Sequence, residues 1–181
     1  MDYTSLAVLA GTRRTGISPK LAEAAGALAA LISTRAMSVV CSGVNSGLLG
    51  CFLNSATAAN IEVEAIIVNG DQERGNIHPA LCRVIVVESE GERKKMLMRA
   101  GGFVALPGGL GTIDEIVSIL LENMNNTHPK RIYLVNVDNF YGSLVGFFKD
   151  IVAKKFVEQK HLNSVFLVNS IDELGFRLSV T

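Results

Sequence analysis

The sequence predicts an open, doubly wound α/β fold: a parallel sheet of about six or seven strands with helices on both faces. Three observations carry this. Short apolar runs alternate with helix-period segments along the chain, the order that right-handed crossovers between parallel strands produce. The apolar runs are near-continuous, as in strands covered on both faces. Several runs are followed by loops rich in Gly and small polar residues, where such folds hold ligands.

Residues Ser5 to Ala10 form the first apolar run, and Pro19 to Ile32 the first helix, with Ser18-Pro19 as cap and first-turn pair. Met37 to Cys41 read as a strand and Leu48 to Asn60 as a helix. Val63 to Val68 is a β-branched strand. Arg83 to Val87 is a fourth strand, followed by a charged helix from about Gly91 to Ala100. Phe103 to Leu106 is the fifth, then a helix from Thr112 to about Met124. Ile132 to Val135 is the sixth, Phe140 to Phe156 a helix, and Val165 to Val168 a short last strand before a C-terminal helix. No repeat, low-complexity tract or linker divides residues 1–181, which are expected to form one nucleotide-binding domain.

Composition narrows the function. Hydrophobic residues make up 49% of the 181 residues, normal for a compact fold. Lys plus Arg and Asp plus Glu are 17 each, so no positive surplus points to nucleic-acid or membrane-surface binding. Cys41, Cys51 and Cys82 lack C-x-x-C spacing and lie in apolar surroundings, which reads as buried thiols in a reducing compartment rather than a zinc site or disulfide framework. The start at Met1-Asp2, reaching Arg13 and Arg14 after a short apolar run, lacks the order of a signal peptide, and no apolar stretch approaches the ~20 residues of a membrane span. The expected location is cytoplasmic.

Three loops draw attention: Gly11 to Gly16, Ser42 to Gly47, and Pro107-Gly108-Gly109-Leu110-Gly111-Thr112. Glycines let the backbone approach a ligand, and amides at the start of the next helix point at an anion, the dipole adding ~0.3–2 kcal/mol. Each loop alone reads first as a tight turn, which also needs Gly; three on one edge of a sheet favour a ligand site. No G-x-x-x-x-G-K-[ST] is present, and Gly43, Gly47 and Gly50 do not have G-x-G-x-x-G spacing. Glu115 admits two readings. Thr112-Ile113-Asp114-Glu115 has the form of a capping box, worth about 1 kcal/mol. Behind the Gly-rich turn, the same carboxylate would stand one helical turn from a bound anion, facing a sugar. The run Glu92-Arg93-Lys94-Lys95 resembles a solvated helix face, yet Arg93 and Arg99 belong to the helix that feeds the fifth strand. Arg13 and Arg14 could pair with phosphate. His78 and His161 read as isolated loop histidines without a second metal ligand.

Phe103 to Glu115 resembles the P-G-G-x-G-T-x-x-E signature of the LONELY GUY family, cytokinin riboside monophosphate phosphoribohydrolases often labelled lysine decarboxylase-like. His78-Pro79, Val84 to Val87, Glu92-Arg93-Lys94, Met96, Gly47-Leu48-Leu49-Gly50, Leu134 to Asp138 and Tyr141 are similar to further family segments. The family's C-G-S-S in the first loop is Ala10-Gly11-Thr12-Arg13 here. Its tyrosine and three glycines in the second are Cys41-Ser42-Gly43-Val44.

The resemblance implies a Rossmann-like fold, a homodimer, and hydrolysis of the N-glycosidic bond of a nucleoside 5′-monophosphate (AMP or N6-modified AMP) without metal or organic cofactor. It implies Glu115 and Arg93 as the catalytic pair, with Arg99 as the rival arginine. The expected substrate-binding set is Gly11 and Thr12, Gly43 and Gly47, Met96 and Arg99, and Pro107, Gly108, Gly109, Gly111 and Thr112. A catalytically silent nucleotide-binding or carrier protein on the same fold is the alternative. Amino-acid decarboxylation would instead require a Schiff-base lysine in the pocket.

Overall fold

The computed structural model describes residues 4–70, 76–81 and 83–179. Met1, Asp2 and Cys82, each used in the sequence reading, lie outside the described residues.

Seven strands form one all-parallel sheet: β1 (Ser5–Leu9), β2 (Ser38–Cys41), β3 (Val63–Val68), β4 (Arg83–Val87), β5 (Gly102–Ala105), β6 (Ile132–Val135) and β7 (Val165–Val168). The order across the sheet is β4-β3-β2-β1-β5-β6-β7. The chain winds outward from β1 to one edge, returns to the other side of β1, and winds outward again. Strand order therefore reverses between β1 and β5.

Side chains alternate across this sheet with a period of two and build two cores. Leu6, Val8, Val39, Cys41, Val104, Leu106, Tyr133 and Val135 face α1 (Pro19–Thr34), α2 (Gly47–Ala58) and α6 (Ile171–Ser179). Ala7, Leu9, Phe103, Ala105, Ile132 and Leu134 face α3 (Glu90–Leu97), α4 (Leu110–Met124) and α5 (Gly142–Ala153). The doubly wound architecture expected from the apolar runs is what the chain forms.

Element ends differ from expectation for local reasons. α3 stops at Leu97 because the next turn tightens, with Arg99 N–H bonding Met96 O at 3.0 Å and Ala100 N–H bonding Leu97 O at 3.1 Å. α5 begins at Gly142 rather than Phe140, since Asp138 and Asn139 take left-handed conformations (φ 50° and 58°) and the buried Asn136 side chain accepts from Tyr141 N–H at 2.9 Å. Lys155, at φ 63°, follows its C-terminal end. Ser18 caps α1 as expected, accepting from Leu21 N–H at 3.3 Å.

The loops beyond β1, β2 and β5 lock together. Gly11 N–H bonds Pro107 O at 3.1 Å, and Leu49 N–H bonds Gly11 O at 3.1 Å. Gly47 sits at φ +62°, and a Cβ there would lie 2.5 Å from the Thr12 carbonyl carbon and 2.6 Å from Gly11 O. Gly47→Ala is therefore expected to lose about 2–4 kcal/mol, combining left-handed strain with a clash against backbone. Gly16→Ala, at φ +83° in open space, carries the strain alone. Urea unfolding of the two variants checks this; equal losses would show that the first loop does not rest on Gly47.

Candidate functional site

The reversal between β1 and β5 parts the loops that follow them, and a cleft of about 510 Å³ opens there. Its walls include Gly11, Thr12 and Arg13 of the first loop, the turn Pro107 to Thr112, and Arg93 and Glu115.

α4 starts inside this wall. Gly109 is its N-cap residue, and the first bond within the helix runs from Ile113 N–H to Gly109 O at 3.1 Å. The amides of Leu110, Gly111 and Thr112 thus precede any partner in their own helix and belong to its positive end. Gly108 is wedged: a Cβ would lie 2.2 Å from Thr112 Oγ1 and 2.9 Å from Gly11 N. At Gly109 and Gly111 a Cβ would meet nothing within 4 Å, so no protein neighbour there requires glycine. Beneath the turn, the buried Tyr141 hydroxyl donates to Leu106 O at 2.7 Å.

The capping-box reading of Thr112 and Glu115 fails. Pro107-Gly108-Gly109 lets α4 begin at Leu110, which makes Thr112 the third helical residue and puts Glu115 beyond the first turn. Glu115 bonds Arg93 instead, Nη1 to Oε1 at 3.0 Å. The chain does use S-x-x-E as a cap twice. Ser89 accepts from Glu92 N–H at 3.2 Å while Glu92 accepts from Glu88 N–H at 2.9 Å. Ser170 and Glu173 repeat this at 3.0 and 2.9 Å.

Arg93 is held on both sides: its Nε donates to Glu90 Oε2 at 2.7 Å, three residues earlier on α3. The Arg93 and Glu115 side chains are 15% and 13% exposed, so the pair is largely withdrawn from water. Burial pushes the Glu115 carboxyl above its ordinary value of 4.5, and the Arg93 guanidinium offsets part of that rise. Burial opposes the charge on Arg93, but Glu115 and Glu90 together hold its pKa above the usual value. The charged run is not simply a solvated face, because Lys94 also reaches α4, pairing with Asp114 at 2.6 Å. Burial raises the fully buried Cys41 thiol to about 12, which keeps it protonated; Cys51 is half-buried.

The remaining expected residues fall elsewhere. Gly43 and Gly47 stand behind the cleft rather than in its wall: Gly43, at φ +69°, packs against Ala65, and Gly47 against the first loop. Met96 and Arg99 border a separate depression with Ser5, Ser38, Glu64 and Arg83 at the beginnings of the strands, the opposite end of the sheet from the cleft. Arg93 borders the cleft and Arg99 the other depression. His78 lies in a loop, as expected, but is buried there, with Nε2 3.0 Å from Asn54 Oδ1 and Nδ1 accepting from Ala80 N–H at 3.3 Å. Among the described residues no group of three or more His, Cys, Asp or Glu converges as a metal site. Glu90 and Phe140, which the sequence pattern does not single out, also line the cleft, as does Leu110 of the turn. The i, i+3 spacing of Glu90 and Arg93 was the available signal for the first.

Residues 49–177 match the family described as "Possible lysine decarboxylase". A probable cytokinin riboside 5′-monophosphate phosphoribohydrolase of Oryza sativa subsp. japonica is 30% identical over 176 residues, 97% of this chain and 76% of the relative. The chain belongs to the LONELY GUY, or lysine decarboxylase-like, family. A cytokinin riboside 5′-monophosphate phosphoribohydrolase of Mycobacterium marinum is 26% identical, covering 86% of this chain and 83% of its own length. The fold is shared with the molybdenum cofactor binding protein of Rippkaea orientalis: TM-score 0.74 and 19% identity over 99% of this chain and 98% of that one. No helix among the described residues is long and apolar enough to cross a membrane.

The raised Glu115 pKa fixes a pH dependence. The native protein holds this proton to higher pH than the unfolded chain does. The stabilisation from this group is therefore complete below the unfolded value and is lost as pH rises through the raised native one. Arg93→Met removes the offsetting charge, so the Glu115 midpoint should move further upward. Carbon NMR of the glutamate carboxyls, with Glu115→Gln for assignment, measures it; an unmoved midpoint would mean that the pair is not electrostatically coupled.

Proposed function

We propose that this chain, taking residues 1–181 as one nucleotide-binding unit, hydrolyses the N-glycosidic bond of a nucleoside 5′-monophosphate, AMP or an N6-modified AMP. The observation that carries the reading is the Arg93–Glu115 pair, set in the same cleft wall as the open amides of α4. Family membership supports the reaction class, since the two relatives carry names for that activity.

The phosphate docks on the amides of Leu110 to Thr112, where unpaired N–H groups and the helix dipole favour an anion. Pro107, Gly108, Gly109 and Gly111 shape that seat, and Gly11 and Thr12 close it from the facing loop. Glu115 stands about one turn further along α4, facing the ribose. As the bond from C1′ to the base nitrogen breaks, positive charge grows on the anomeric carbon, and the fixed carboxylate stabilises it without reorganising. Water then adds its oxygen to C1′, a proton goes to the departing base nitrogen, and the products are free base and ribose 5-phosphate. Arg93 favours the ionised form of Glu115, offsetting part of the effect of burial, and aims the carboxylate. Gly43 and Gly47 act by supporting the loops; Met96 and Arg99 are not part of the proposed site.

Amino-acid decarboxylation through a pyridoxal-type Schiff base lacks support, because no lysine is among the described residues that line the cleft. The reading expects a cytoplasmic homodimer acting on a small molecule, not on nucleic acid or membrane. A stripe of apolar side chains on α4, Val117, Leu121 and Met124, is 38%, 56% and 42% exposed, which supports the dimer.

Incubation with AMP and with N6-isopentenyl-AMP should release free base, read by chromatography. Glu115→Gln should lower turnover by about 10²–10³ while keeping AMP bound. Folded protein that binds AMP and releases base from neither substrate would instead be a silent binding or carrier protein. Sedimentation should give a dimer that Leu121→Asp dissociates; a monomeric wild-type chain at micromolar concentration would refute the dimer.

A further inference from the structure

Among the described residues that line the cleft, four are ionisable: Arg13, Glu90, Arg93 and Glu115. Their formal charges cancel, yet they are not equally available. Arg93 already donates to Glu90 at 2.7 Å and to Glu115 at 3.0 Å, so two carboxylates match its one charge. A phosphate monoester brings about −1.5 to −2 at neutral pH, and a helix start offers about +0.5. Without a further cation, the cleft would hold that phosphate beside a surplus of negative charge.

Arg13 is that cation. It is exposed, and no ion pair holds it among the described residues. Its backbone is seated, because the first loop packs so closely on Gly47 that a Cβ there would lie 2.7 Å from Arg13 O. The loop also faces the turn before α4 through the Gly11–Pro107 bond. Arg14, its neighbour, does not line the cleft.

We infer that Arg13 is the phosphate-binding side chain of this cleft and that Arg93 is not: Arg93 positions Glu115. The inference rests on the nucleotide reading above and deepens it, making the 5′-phosphate, rather than the base, the group that selects the substrate. A guanidinium that pairs with phosphate contributes charge-assisted bonds and discriminates against a nucleoside lacking the phosphate.

Calorimetric titration of the full chain with AMP, ribose 5-phosphate and adenosine tests it. Arg13→Ser should weaken AMP and ribose 5-phosphate about ten- to a hundredfold, leave adenosine unmoved, and flatten the salt dependence of AMP binding. Arg13→Lys should recover part of the affinity, which separates loss of charge from loss of fold, and Arg14→Ser should bind as wild type. If Arg13→Ser binds AMP as tightly as wild type, the inference falls and the nucleotide reading stands. If wild type binds ribose 5-phosphate through Arg13 but not AMP, the nucleotide reading falls and the anion site stands. Binding of neither phosphorylated probe to wild type overturns both.

Discussion

The hydrogen bond from the Gly11 amide to the Pro107 carbonyl is the joint on which the cleft depends. Neighbouring parallel strands at a reversal send their connections to opposite faces, so nothing in the sheet ladder itself holds the loops after β1 and β5 in register. This bond does so, following the one from Leu106 N–H to Leu9 O at 2.9 Å that ends the pairing. Gly108 permits it, since a side chain there would strike both Gly11 and Thr112. The Tyr141 hydroxyl fixes the carbonyl of Leu106 from below. Three unrelated segments thus hold the α4 amides at one place, and an anion would meet donors already positioned. Preorganised donors of this kind are worth more than the same groups in water, because they need not reorient.

The Arg93–Glu115 pair shows a second constraint. A carboxylate only 13% exposed resists ionisation, and the guanidinium opposes that resistance. Removing one partner would leave the other as an uncompensated buried charge, a costly state. Glu90, much more exposed, completes the clamp from the solvent side. The price of holding a buried charge pair is reasonable where the charge has chemistry to perform, and the pair lies in the wall of the cleft.

Much of this was legible in the sequence. The strands β3, β4, β6 and β7 are legible with their observed ends because short apolar, β-branched-rich runs leave little choice of boundary. The Pro107 to Thr112 turn was legible because clustered glycine has few structural uses at a strand end. The start of α4 was not. Thr112-x-x-Glu115 has the same form as Ser89-x-x-Glu92 and Ser170-x-x-Glu173, and two of the three are caps. What separates them is the preceding turn, which starts the helix three residues earlier than a Thr112 cap would and turns the glutamate toward another element. Local pattern cannot report that, because the partner of Glu115 is 22 positions away. Local pattern does not separate Arg93 from Arg99 for the same reason: the tightened turn after Leu97 sends Arg99 toward the strand beginnings.

Topology explains why Arg93 can reach the cleft at all. β4 is the edge strand on one side, whereas β5 lies beyond β3, β2 and β1. The connection between them must cross the face of half the sheet, and α3 makes that crossing on the face that also carries α4. Its early turns lie toward the carboxyl ends of the strands and its last turn toward their beginnings, since a crossover helix runs antiparallel to the strands it joins. Arg93, in the first half, therefore meets α4 at the cleft, while Met96 and Arg99 arrive at the other end of the sheet. The crossover that reverses strand order and so opens the cleft is also the element that delivers the arginine to it.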